Sequence, residues 1–413
     1  MQLESDLSYR QHKLSNGIRL VHRSTYSPVA HCAITINVGS RDEQPQEYGL
    51  AHFIEHSIFK GTEKRRSLHI LNRIDGVGGE LNAFTTKEET CIYASFLNKY
   101  HDRVLELFSD ILFNSIFPQK EIDKEKIVVI DEINSYEDNP SELIFDDFER
   151  LVFRQHGLGR YILGTPKQVL NFSTDQIKSF VKRTYSTNSI VISTIGAIDF
   201  DQWVGKCEKY FGSIKEDNKK INRTPFKNYK PIKKIIPRDT YQSHVVLGNI
   251  AFSYKNKRKL AFSLLNNIIG GPAMNSRLNI KIREKYGFTY SLESNYTAYS
   301  DVGLFTVYAA TDEKYIDKTI NLIEKELEYY CNNKIKPLNL NQAKQQLIGQ
   351  LAIQYENNQN EVLSMGKSIL NYNKIDTLLT TNQEIEKITA EEIQEVAQKV
   401  FQKNKYSQIK YIH

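Results

Sequence analysis

The sequence predicts an α+β protein of two similar domains, each a mostly antiparallel sheet packed with helices, related by internal duplication. Three observations carry this. The 413 residues exceed what a single core organises. Apolar residues alternate in some runs and recur at helical spacing in others, in both halves. The order of these runs also repeats: NKYHDRVLELFSDIL (98–112) and EKYIDKTINLIEKEL (313–327) match in pattern and in position within their halves.

In chain order, β-branched alternation predicts strands over 18–22 and 30–38. A helix over 48–59 is ended by Gly61, and a second over 67–77 stops at Gly78-Gly79. Strands at 81–85 and 90–97 flank the polar 86–89. An amphipathic helix is predicted over 102–114. Pro118 precedes a long helix over 120–136, which stops before Asn139-Pro140; more helix follows, then a strand over 189–195. From about 212 to 234 the composition turns polar and lysine-rich, which sets domains of 1–212 and 235–413 around a solvated linker of 213–234. The second half repeats the plan: strand 243–250, helix 260–269, part of a helix at 280–284, strands 290–298 and 303–309, a helix from about 314 and another over 340–355.

Hydrophobic content of 40% and charged content of 25% fit a water-facing globular chain. The net charge of +6, from 55 basic and 49 acidic side chains, is too small for this length to indicate nucleic-acid binding. Cys32, Cys91, Cys207 and Cys331 form no C-x-x-C pair and are expected as small buried residues. No run of 18 apolar residues exists, so no membrane span is expected. The start, MQLESDLSYRQHKL, has neither an apolar stretch nor an arginine-rich leader, so the expected compartment is the cytoplasm.

The chemistry concentrates at LAHFIEHSIFKGT. On a helix, His52 and His56 lie on one face about one turn apart, a spacing that suits two imidazoles on one metal ion. Glu55 lies beside them, within reach of a ligand or water on the same ion. The order is H-x-x-E-H, the reverse of the commoner H-E-x-x-H. Leu50, Ala51, Phe53, Ile54 and Ile58 mark the helix as buried, and buried ionisable groups need partners or a metal. A catalytic zinc takes a third protein ligand from elsewhere. The helix after Pro118 offers Glu132, with Glu125 seven residues earlier on the same face, so that one can bind and the other brace a ligand. Asp131 competes on spacing alone but points about 120° away from Glu125. After His244 the only histidine is His413, so the second half holds no copy of this site.

H-x-x-E-H followed about 75 residues later by glutamate in V-V-x-x-E-I context resembles the pitrilysin/insulysin family of zinc peptidases, in its short-chain type related to the mitochondrial processing peptidase. The resemblance runs from Leu14-Ser15-Asn16-Gly17 to the last helix. It implies one Zn2+ per chain on His52, His56 and Glu132, with Glu55 as the catalytic base and Glu125 bracing a ligand. The stretch Gly78-Gly79-Glu80-Leu81-Asn82-Ala83-Phe84-Thr85 is similar to the family's G-G-x-x-N-A-x-T strand, whose edge pairs with an extended peptide; this implies substrate binding by Asn82, Ala83, Phe84 and Thr85. SRLNIKIREKYGFTYSLES resembles the S-R-L-x-x-x-I-R-E-K-x-G-x-x-Y-S motif. It implies that Arg283 and Tyr290 face the metal and donate hydrogen bonds to the oxyanion of the tetrahedral intermediate, whereas Arg277 is expected to be structural. The family's glycine-rich loop is recognisable at Ile269-Gly270-Gly271-Pro272 but carries Pro272.

The resemblance thus implies an endopeptidase that cleaves unfolded peptides or small polypeptides in an enclosed chamber. Expected partners are the peptide substrate and a second copy in a homodimer, or a paralogue in a heterodimer, with no nucleic acid and no membrane. The competing expectation is a non-catalytic, core-type or peptide-binding subunit of a heterodimeric peptidase.

Overall fold

Strand order shows the duplication more directly than the sequence does. The computed structural model describes residues 9–413, so most of the MQLESDLSYRQHKL start, residues 1–8, lies outside the described residues. Strands β1 (Arg10–Lys13), β2 (Arg19–Ser24), β3 (Val29–Ile36), β4 (Glu80–Thr85), β5 (Thr90–Leu97) and β6 (Ile190–Gly196) form one sheet in the order β1-β2-β6-β3-β5-β4. Strands β7 (Lys233–Pro237), β8 (Ser243–Ala251), β9 (Thr289–Ala298), β10 (Gly303–Thr311) and β11 (Ser407–Ile412) form a second, in the order β7-β11-β8-β10-β9. Without β1 the two orders are the same. Each sheet has one parallel pair, β2 with β6 and β7 with β11, and its other pairs are antiparallel. The mixed, mostly antiparallel sheets in two similar units are the α+β class the pattern predicts.

The chain divides into two compact units that are discontinuous in sequence. Unit 1 takes the described residues up to Asn134, then Arg160–Arg223 and Gln354–Thr377; unit 2 takes Ser135–Gly159, Thr224–Ile353 and Leu378–His413. The helices follow in chain order. They are α1 (Leu50–Ser57), α2 (Ser67–Asp75), α3 (His101–Phe113), α4 (Gln119–Glu137), α5 (Pro140–Phe153), α6 (Pro166–Leu170), α7 (Thr174–Thr184) and α8 (Phe200–Phe211). Then come α9 (Lys259–Gly270), α10 (Glu313–Asn332), α11 (Pro337–Tyr355), α12 (Asn358–Tyr372), α13 (Leu378–Lys387) and α14 (Ala390–Val400). The matched segments seen in the sequence become α3, which follows β5, and α10, which follows β10.

In unit 1, one sheet face (Leu20, Ile34, Ile92) packs on Phe53 of α1, Phe108 of α3 and Trp203 of α8. The other face (Val21, Ala33, Val191, Ile195) is covered by Val362, Met365 and Ile369 of α12. In unit 2, Val245, Leu247, Phe305 and Val307 pack on Phe262 of α9 and Val396 of α14. Val246, Leu304, Tyr308 and Ile409 on its opposite face meet Ile144, Phe148 and Val152 of α5. The covering helix of each sheet therefore comes from the other half of the sequence. Contiguous domains drawn at 212 and 235 do not coincide with these units, because apolar periodicity reports that a helix buries a face and not which sheet receives it.

The 213–234 stretch differs from a solvated linker. Arg223 makes hydrogen-bonded ion pairs to Asp42, with Nε and Nη2 each at 2.8 Å. Phe226 and Tyr229 pack onto the α5-side cluster of unit 2. β7 begins inside the predicted linker at Lys233. It is a mostly exposed edge strand whose two lysines guard the edge, and such a strand has no apolar signal to read. All four cysteines are free; three are buried and Cys331 is half-buried. Among the described residues no helix is long and apolar enough to cross a membrane.

Candidate metal centre

Helix α1 is short and anchored by its apolar side. Leu50, Ala51, Phe53 and Ile54 are buried, which turns His52 and His56 to the same opposite stripe with ring centroids 4.6 Å apart. The left-handed backbone at Gly49 (φ +92°) starts the helix, and a Cβ there would fall 2.7 Å from the Leu163 carbonyl; only glycine suits the position.

Helix α4 brings the third donor. Glu132 Oε1 lies 3.8 Å from His52 Nε2, and Glu132 Oε2 lies 3.5 Å from His56 Nε2. The three donor atoms all lie within 4.8 Å of one another, and this is the single group of its kind among the described residues. Ligands about 2.0–2.1 Å from a tetrahedral zinc stand roughly 3.3–3.5 Å apart, so little adjustment is needed. Asp131 is exposed and outside the group.

Behind His56, Nδ1 lies 2.9 Å from Glu125 Oε1, and Lys60 Nζ donates to Glu125 Oε2 at 2.6 Å. With its proton on Nδ1 facing a carboxylate, His56 leaves the Nε2 lone pair toward Glu132. Burial raises the Glu125 carboxyl, but the His56 and Lys60 hydrogen bonds outweigh it and hold it below the usual range. His52 is pushed down to about 3 by burial and by His56, so its ring is neutral and ligand-ready. Burial lowers the His56 pKa, but the Glu125 hydrogen bond and the surrounding carboxylates raise it overall. Burial raises Glu55, with Glu132 adding to it, while Thr85 and His56 pull the other way.

The residues fit a divalent cation on two further counts. His52 Nδ1, Glu55 Oε2 and Thr85 Oγ1 are buried with no hydrogen-bond partner, and buried polar atoms are rarely left so. The Thr85 hydroxyl is near enough to Glu55 to lower it, yet makes no full hydrogen bond. Glu55, Glu125 and Glu132 also all act on His56, and Lys60 pairs with Glu125, so three carboxylates meet one ammonium, a formal excess of two negative charges in a half-buried site.

Asn82, Ala83, Phe84 and Thr85 lie on β4, the edge strand of the unit 1 sheet, bonded to β5 on one side. Leu81 and Ala83 pack toward the core under α1, and Phe84 turns to the other face, 6.1 Å from the Tyr93 ring. Arg283 lies in a π-helical turn, Asn279–Glu284, of unit 2, with Nη2 on Glu284 at 3.0 Å. Tyr290 is 86% exposed on β9, the edge strand of the unit 2 sheet. Arg277 pairs with Glu326 at 2.9 Å and lies over Tyr329, a structural setting. Two residues of the site have no counterpart in the motifs: Lys60, four residues after His56, and Glu43, whose carboxylate accepts from the α1 amides. Proximity of Lys60 to the motif is the only sequence signal for either.

A duplicated α+β unit with an H-x-x-E-H helix and a distant glutamate in its first copy defines a pitrilysin-type chain. Residues 19–166 match the family described as Insulinase (Peptidase family M16), and residues 171–347 match Peptidase M16 inactive domain. The chain belongs to this family. Its relatives include proteins named uncharacterized zinc protease. YmxG of Bacillus subtilis is 32% identical over 95% of both chains, and a Rickettsia felis protein is 34% identical over 94% of both. The crystal structure of a protease from Helicobacter pylori shares the fold, with a TM-score of 0.91, 20% identity and coverage of 98% of this chain and 100% of that one. A Pseudomonas fluorescens structure described as a peptidase M16 inactive domain does so equally, at 0.91 and 18%, over 98% of both.

Proposed function

We propose that this chain is a zinc-dependent endopeptidase, with one Zn2+ per chain, that hydrolyses unfolded peptides or small polypeptides. The observation that carries the reading is the convergence of His52, His56 and Glu132 from two helices, with the unpartnered Oε2 of Glu55 beside them. The names of the relatives support the choice of zinc.

Zinc held by these three residues supplies a Lewis acid that polarises a carbonyl and lowers the pKa of water to about 7. Glu55 takes the proton of the attacking water at its unpartnered Oε2 and passes it to the leaving amine. His56, braced by Glu125, keeps its Nε2 lone pair directed at the ligand group. The substrate backbone extends the sheet at the free edge of β4. Main-chain hydrogen bonding there tolerates many sequences and demands an unfolded segment. Asn82 holds a substrate carbonyl, Ala83 leaves room for the backbone, and Phe84 and Thr85 line the strand. Arg283 and Tyr290 donate to the oxyanion, in cis or from a second copy in a homodimer or a paired paralogue. The proposed compartment is the cytoplasm.

The test is zinc analysis of the purified chain together with cleavage of a quenched peptide before and after chelation. Glu55→Gln is expected to keep its zinc and lose turnover by at least ~100-fold, the low end of a general-base contribution. Normal turnover by a zinc-loaded Glu55→Gln protein removes Glu55 from the mechanism; a zinc-free, chelator-insensitive wild type ends the proposal.

A further inference from the structure

We propose that Glu43 is the positioning residue of the metal-binding helix: its carboxylate sets where α1 begins, and thereby where His52 and His56 stand. The inference rests on the zinc reading above and adds to it a part of the machinery outside the H-x-x-E-H motif.

The need for such a residue follows from the length of α1. Eight residues make little more than two turns, and helices this short are unstable without tertiary support. The first amides of a helix lack intrahelical partners. Here the N-cap is Gly49, which has no side chain to supply one. Glu43 supplies it from six and eight residues upstream. Oε2 accepts from the Gly49 amide at 3.1 Å and Oε1 from the Ala51 amide at 2.9 Å. Glu43 is 4% exposed, so water does not compete for these bonds. Burial pushes the Glu43 carboxyl well above the usual range, while the Ala51 and Gly49 amides and Arg160 favour its charged form. The two hydrogen bonds need only its acceptor oxygens, and the charged form also complements the helix dipole. Ala51 immediately precedes His52, so a slip or rotation of the first turn displaces both rings relative to Glu132.

Glu43 is itself held. Its carbonyl accepts from Arg160 Nη1, and the Arg160 guanidinium lies over the Tyr48 ring, 4.2 Å from its centroid. The Arg160 carbonyl accepts from Lys87 Nζ at 2.6 Å. The amides of Ser40 and Arg41 donate to the carbonyls of Thr86 and Lys87 at 3.1 and 2.8 Å. A Cβ at Gly39 would lie 2.4 Å from the Thr86 carbonyl, so this approach is as close as glycine allows. The loop that caps the metal helix is therefore bonded to the turn leaving β4, the strand proposed to take the substrate. The position of α1 is referenced to that strand through Glu43.

The experiment uses the full chain as wild type, Glu43→Gln and Glu43→Ala. Each is stripped of metal and titrated with zinc against a competing chelator, then assayed for kcat and KM at saturating zinc, with Tm recorded for the metal-free form. Glu43→Gln keeps the shape but turns an NH2 toward a helix amide. We expect its zinc affinity to fall about 10–100-fold, the range for residues that orient metal ligands, with kcat falling and KM within twofold of wild type because β4 is untouched. Should Glu43→Ala not fold, Glu43→Gln alone decides. A folded Glu43→Gln whose zinc affinity and kcat stay within twofold of wild type, even at a lower Tm, overturns the inference and leaves Glu43 a stabilising cap. Failure of the wild type itself to bind zinc overturns the metal reading instead.

Discussion

At the scale of single residues, the candidate site depends on groups outside the His52, His56 and Glu132 donor set. His56 has a defined tautomer because its Nδ1–H donates to Glu125, and Glu125 is fixed because Lys60 donates to its other oxygen. Glu125→Gln breaks this chain by leaving Lys60 without its counter-charge. Its zinc affinity, measured by chelator competition, is expected to fall about 10–100-fold; an unchanged affinity would show that His56 needs no brace. That His52 and His56 share a stripe was legible in the sequence because i,i+4 spacing fixes a shared helix face whatever surrounds it. Glu125 was legible for the same reason, seven residues before Glu132. Lys60 and Glu43 were not, since their partners are reached through loop geometry that has no period.

At the scale of elements, the structure departs most from the sequence reading at α12. This helix closes the second face of the unit 1 sheet, and its polar anchor is buried: Arg23 Nη2 meets Glu361 Oε2 at 2.6 Å, with 9% and 3% of the two side chains exposed. Asn358 accepts a second bond from the same guanidinium at 2.7 Å, and the Tyr9 hydroxyl donates to Glu361 at 2.8 Å. Removing one member of a buried pair strands the other, so Glu361→Ala is expected to lower stability by about 3–5 kcal/mol. Urea unfolding measures this; a loss below ~1 kcal/mol would mean that the apolar contacts alone seat the helix. The α12 register also needs Gly366, where a Cβ would lie 2.3 Å from Thr35 Oγ1. The edge strands divide by the same logic: β4 alternates core and open-face residues and is readable, whereas solvated β7 is not.

At the scale of the whole molecule, pH stability is tied also to buried histidines outside the candidate metal centre. His22 and His101 are buried in unit 1, and burial depresses each to about 4. Both ring nitrogens of His101 lack a partner. An unfolded histidine titrates near 6.5, so between pH 6.5 and 4 the unfolded chain binds more protons than the folded one. Stability is then complete above 6.5, falls as pH drops to 4, and is flat in this contribution below that. Each residue accounts for roughly 3 kcal/mol at most, and the two are not additive because the charge of His22 is part of what depresses His101. Urea midpoints at pH 7 and pH 4.5 should differ less for His101→Phe than for wild type; equal differences would rule His101 out.

The sequence by itself determined the class of the fold, the duplication, and the residues of the donor group, because all three rest on local periodicity and spacing. Solvent exclusion writes these into the chain wherever a face is buried. Tertiary structure alone decided that α5 and α12 exchange sheets, that the 213–234 stretch is docked through Arg223, Phe226 and Tyr229, and that Glu43 meets the start of α1 and Lys60 meets Glu125. Those outcomes depend on which complementary surfaces meet once the chain is compact, and an apolar stripe or a lone carboxylate does not name its partner in advance.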